Sequence, residues 1–268
     1  MSIKNVVKLK TYGNVNADLV EKLLGVLIEC YERLGPPATY SVNLNIFETS
    51  DGQGFFATHD ASEGKPTINI YLDRVLGLPP KVVVGGVRRQ AAHSILHGSP
   101  EFYKIKFPAE LMQVISEYGL SENFATNILY GASMTAKEYN VTKFLVDGGF
   151  VEDQEAYVKY MLEPSAEELQ AWEIAKTNPM GKIIYLVMTI RDIACAIPLI
   201  EDLRLGNEIK ECMERRIKHL PVNYRLTIQR VMDEMIKKFS DDTFKNIDLI
   251  TKVIVEEIIQ KELEIREK

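Results

Sequence analysis

Cysteine is scarce in this chain. Cys30, Cys195 and Cys212 are the only three, they lie far apart, and no C-x-x-C pair exists. That argues against a disulfide framework or a cysteine-built zinc site. Each thiol reads instead as a small buried hydrophobe in a reducing compartment. Basic charge is also lacking: the formal net charge is −6, whereas a general nucleic-acid binder needs a basic face. The tyrosines are dispersed and form no stacking platform for bases. No G-x-S-x-G elbow, P-loop or dinucleotide fingerprint follows an early strand. "DGGF" (residues 147–150) reads as a helix C-cap and not as a phosphate loop. The opening run "MSIKNVVKLKTYGNVN" has no apolar core of the signal-peptide kind. One apolar stretch, residues 181–202, approaches membrane-spanning length, but Arg191 and Asp192 fall at its middle. Each would cost roughly 2.5–3.5 kcal/mol at a bilayer centre. A buried helix whose charges meet another helix is the expectation. The chain reads as soluble and cytoplasmic, with no nucleic-acid or membrane partner.

What is present is ordinary globular composition: 268 residues, 46% hydrophobic and 26% charged. That length can bury one large core or two modest ones. "VVKLKTY" reads as a strand, and Asn16 or Asp18 opens an amphipathic helix with Leu19, Leu23, Val26, Leu27 and Cys30 on its apolar stripe. Gly35-Pro36-Pro37 stops that helix. Three strand-like runs follow, "YSVNLNIFET", "GFFATHD" and "KPTINIYLD", separated by the turns "SDGQG" and "ASEGK". A helix then covers about Pro80 to His97, with Gly85 and Gly86 suited to close packing on a sheet. From Phe107 onward only helices are expected. Ser165 with Glu168 makes a capping box, and Asn178 caps a helix with Pro179 in its first position. The class is α+β: a small N-terminal sheet, then a mainly helical C-terminal half. The weak break at "LEPSAEE" divides the chain into 1–163 and 164–268.

The chemistry gathers in "GGVRRQAAHSILHG", residues 85–98. On a helix, Arg89, His93 and His97 share one face, with Gln90 beside it. A zinc-protease helix uses H-E-x-x-H so that both histidines reach one metal while the glutamate polarises its water. Here the five positions read Arg89-Gln90-Ala91-Ala92-His93. "RQAAHSILHG" resembles the active-site helix of the zincin-like metallopeptidase superfamily with both leading residues replaced. The order strand, helix, three strands, helix is similar to the minimal zincin core, over about residues 5–150.

That resemblance implies a metal site, and the departures from it imply its loss. Arginine stays protonated and ligates no cation, and Gln90 is no general base. Arg89, Gln90, His93 and Glu138 therefore form the expected vestigial site, with no catalytic residue, metal or cofactor. Arg89 is expected to extend to an acid, Glu138 first. The alternative is a divergent zinc-dependent hydrolase using His93, His97 and an acid such as Glu138, with Glu110, Glu117 and Glu122 as other sources. A structural reading stands beside each residue. His93 is a hydrogen-bonded core histidine, His97 lies at a helix C-terminus, and Thr135 with Glu138 makes a capping box. His59 and His219 read as surface residues. Ile250, Val253, Ile254 and Ile258 either pack within the chain or join copies into a homo-oligomer through the C-terminal helix. The leading expectation is a non-catalytic zincin-like protein with a binding or structural role and an unknown ligand.

Overall fold

A computed structural model describes residues 6–52 and 54–267, with side chains through Glu264. Gln53, inside the expected "SDGQG" turn, lies outside the described residues, as do residues 1–5 and Lys268. The fold is α+β. In chain order the elements are β1 (Val7–Tyr12), α1 (Ala17–Leu34), β2 (Val42–Phe47), β3 (Ala57–Asp60), β4 (Thr67–Tyr71), α2 (Leu72–Val75), α3 (Pro80–Leu96), α4 (Ala109–Tyr118), α5 (Glu122–Asp147) and α6 (Val151–Leu162). There follow α7 (Ala166–Ala175), α8 (Pro179–Ala194), α9 (Ile197–Ile200), α10 (Gly206–Ile217), α11 (Val222–Lys238) and α12 (Thr243–Ile254). A π turn (Val255–Ile259) then leads into α13 (Gln260–Glu267). Two compact units result, and both are discontinuous in sequence. One comprises Met1–Ile105 with Lys143–Tyr157, the other Lys106–Thr142 with Val158–Lys268.

The first unit is built on a four-stranded sheet of order β1-β2-β4-β3, in which β1, β2 and β4 run parallel and β3 is antiparallel to β4. Alternation decides its two faces. Val42, Leu44 and Ile46 of β2 and Ile68 and Ile70 of β4 are buried, whereas Asn43, Asn45, Phe47, Thr67, Asn69 and Tyr71 are half-buried on the other side. On that outer face Asn45 donates to Asn69 (2.9 Å), and the rings of Tyr12, Phe47 and Tyr71 stack in a row across three strands. α1 opens where Asn16 accepts the Leu19 N–H, and it stops at Gly35, whose φ of 111° suits a residue without Cβ. It buries Val20, Leu23, Leu27, Cys30 and Tyr31, so the stripe lies slightly round from the expected one. Burial pushes the Cys30 thiol up to about 12, which keeps it protonated and inert.

α3 packs against α1 and lies on β3 and β4. Its two glycines are close-approach positions, though not both toward the sheet. A Cβ on Gly86 would strike the Phe56 ring at 2.1 Å, and one on Gly85 would sit 2.4 Å from the Asp153 carbonyl oxygen at the start of α6. Gly85→Ala is expected to destabilise the protein by about 1–3 kcal/mol, despite the roughly 1 kcal/mol it gains in helix propensity. A urea midpoint at or above that of the native chain would contradict the close approach. Asp147 to Phe150 does form a helix end: Gly149 has φ +83° and the Phe150 N–H donates to the Leu145 carbonyl (2.9 Å).

The second unit contains no strand among the described residues. Its α7 begins with the expected capping box of Ser165 and Glu168, and Asn178 caps α8. The apolar run 181–202 is not one helix: α8 ends at Ala194 and α9 starts at Ile197. Among the described residues no helix is long and apolar enough to cross a membrane. Of the two charges at its middle, Asp192 meets another helix. Asp192 accepts from Arg191 Nε (2.8 Å) on one oxygen and from Arg216 of α10 (2.6 Å) on the other. Arg216 also makes a two-pronged pair with Glu168. At the C-terminus Ile250, Val253, Ile254 and Ile258 are buried within the chain, in a segment that packs on α4, α8 and α11. The stripe that left an oligomer open is thus already covered.

Candidate functional site

Three of the four histidines come together in the first unit. His93 and His97 stand one turn apart at the end of α3, where the His97 N–H donates to the His93 carbonyl (2.7 Å) and closes the last turn. Both rings are buried. Their Nδ1 atoms are 3.2 Å apart. As a hydrogen bond, that contact has one ring's Nδ1–H donating to the other ring's bare Nδ1. His59 completes the group. It was expected on the surface, yet β3 pairs it with Ile68, which puts it on the buried side of the sheet. Its ring stacks on that of His93 with centroids 5.8 Å apart, and its Nδ1 meets the Tyr103 hydroxyl at 2.8 Å. Burial, with the Asp60 charge second, pushes the Tyr103 phenol well above its ordinary value. Phe102 closes the cluster, edge-on to His97 at 5.0 Å.

One turn before His93, Arg89 is 1% exposed. Its Nη1 donates to Gln154 Oε1 (3.1 Å), and its guanidinium lies 5.0 Å from the centre of the Tyr157 ring. Gln154 is oriented for this by donating its own amide to Asp153 Oδ1 (2.8 Å) and to the Gly85 carbonyl (3.3 Å). The neighbouring Arg88 goes elsewhere: it pairs with Asp153 and with Glu29 (2.7 Å), and it covers the Phe150 ring. Two successive arginines are thus drawn under the start of α6 by an acid and an amide. Gln90, beside Arg89, is also buried. Ser94, on the side of α3 facing α1, accepts from the Tyr31 hydroxyl (2.7 Å) and donates to the Ala91 carbonyl. That bond ties α3 to α1 one residue after His93.

Glu138 belongs to the second unit, in the interior of α5, where its carbonyl accepts from Thr142 and its charge bears on Arg191. The capping box expected of Thr135 and Glu138 is not formed, because α5 began at Glu122. Thr135 is buried and donates back to the Gly131 carbonyl (2.8 Å). Glu110 and Glu117 lie on α4, and Glu122 opens α5. Among the described residues no group of three or more His, Cys, Asp or Glu side chains is arranged to hold a metal ion.

His219 is not a plain surface residue either. Its Nε2 meets the Tyr185 hydroxyl at 2.8 Å, and the Trp172 ring stands edge-on to it. Desolvation first, and the Arg216 charge second, hold its pKa below the usual 6.5. The unfolded chain then takes up this proton before the folded one as pH falls, so acidification removes stability. His219→Gln is expected to flatten the stability curve between about pH 7 and 5; an unchanged slope in urea titrations would contradict it.

No family model, curated protein or solved structure matches the chain.

Proposed function

We propose that the first unit is a degenerate zincin-like core that serves binding or structure and performs no metal-assisted hydrolysis. The observation that carries the reading is the burial of Arg89. The position where an H-E-x-x-H helix offers its first ligand holds a permanent cation, packed on Tyr157 and hydrogen-bonded to Gln154. A resident zinc does not fit that residue set, since a guanidinium cannot ligate it and Gln90 supplies no base. The element order, and a sheet of three parallel strands with one antiparallel edge strand beside the helix, support the likeness to the zincin core. The interior placement of Cys30, Cys195 and Cys212 supports a reducing, cytoplasmic setting.

Metal analysis of protein purified without a polyhistidine tag tests the reading. Well under one equivalent of zinc, copper or nickel is expected. The competing reading, a divergent hydrolase with His93 and His97 as ligands and Glu138 as the acid, draws on the 3.2 Å between the two Nδ1 atoms. Stoichiometric metal that is lost on His93→Ala would establish that reading and remove ours.

A further inference from the structure

We propose that the open edge of β1 binds an extended acidic peptide by strand addition. β1 is an end strand of the sheet, and Lys8 through Tyr12 are all exposed. The Val6 and Tyr12 carbonyls accept from Val42 and Glu48 of the β2 side. In a parallel ladder the even-numbered residues therefore turn their backbone toward β2, and Val7, Leu9 and Thr11 turn their N–H and C=O groups outward. Three successive odd residues thus offer the hydrogen-bonding row that an added strand uses.

The side chains select the occupant. Register places Lys8 beside Asn43 and Lys10 beside Asn45, so both side chains leave the strand on the outer face, from backbone positions about 7 Å apart. Neither lysine takes part in an ion pair among the described residues. Lysines on an edge strand blunt pairing between copies. Antiparallel self-pairing centred on Leu9 sets each Lys8 against a Lys10, and centring on Lys10 sets lysine against lysine. A strand with carboxylates at alternate positions reverses both penalties, since opposite charges directly across a ladder attract. Its intervening apolar residues would cover Leu9, which is 39% exposed on the other face. The occupant is thus a segment in which Glu or Asp alternates with Val, Leu or Thr.

Fluorescence anisotropy of the full chain with a labelled Thr-Glu-Val-Glu-Thr-Glu peptide tests this. The acidic peptide is expected to bind at least tenfold tighter than its Thr-Lys-Val-Lys-Thr-Lys counterpart, and Lys8→Glu with Lys10→Glu should reverse that preference. Amide exchange at Leu9 and Thr11 should slow on binding. Thr11→Pro removes one outward N–H where the β2 ladder uses none, so it should abolish binding while leaving the unfolding temperature in place. Equal binding of both peptides would overturn the proposal. So would binding that responds to charge but survives Thr11→Pro, because that is attraction without an added strand. Tighter capture of a nucleic acid or an acidic polysaccharide by the same lysines would overturn it as well.

Discussion

Arg216→Ala is expected to destabilise the protein by about 3–5 kcal/mol, the usual cost of breaking a buried charge cluster by removing one partner. Arg216 is buried, it pairs with both oxygens of Glu168, and it reaches Asp192 at 2.6 Å. Removing it leaves the interior Asp192, among the described residues, with Arg191 to answer its charge. It also frees Glu168, whose other task is to accept the Ser165 N–H (3.0 Å) at the start of α7. Urea unfolding supplies the number, and a double-mutant cycle with Asp192→Asn should give a coupling of about 1–3 kcal/mol. Lys143→Ala, which breaks an exposed pair with Asp147 one turn away, is the control and should cost no more than about 0.5 kcal/mol. Similar losses for the two variants would show that the Arg216 cluster is not the electrostatic centre of its unit.

Arg89→Ala is expected to cost about 3 kcal/mol or more. Here a large buried side chain disappears from beside an aromatic ring, and Gln154 loses the donor to its carbonyl oxygen. A cavity and an unanswered polar group add together. Arg89→Lys should recover only part of the loss, because a compact ammonium neither spans the fork nor stacks on Tyr157. A loss below about 1 kcal/mol is what an exposed helical arginine would give, and it would place Arg89 outside the interior.

The elements of the first unit were legible because each carries a local cause. Asn16 caps α1, Gly35 ends it, and Val42, Leu44 and Ile46 alternate as a half-buried strand must. The stripe of Arg89, His93 and His97 followed from helical spacing, and the structure does bring the two histidines together. What the sequence hid depends on pairing between distant segments. His59 reads as a surface residue, and its register opposite Ile68 turns it inward onto His93. The alternation of Ala57 and His59 was the available signal. Gln154 and Tyr157, two partners of Arg89, carried none, since nothing local in α6 announces what its first turns will cover. Thr135 with Glu138 misled for the opposite reason: the local pattern T-x-x-E was genuine, but α5 had already started at Glu122 and left it nothing to cap. The discontinuous units have the same origin, because α5 and α6 each belong partly to both while sequence order suggests a single cut.

On the proposed reading, Arg89 is an interior cation at the position where an H-E-x-x-H helix offers its first metal ligand. Thermal unfolding of the native chain against rising zinc tests it most directly, because anything bound by the folded state alone raises the unfolding temperature. The unfolding temperature is expected to stay in place as zinc passes one equivalent. A rise that saturates at one equivalent and vanishes in His93→Ala would contradict it.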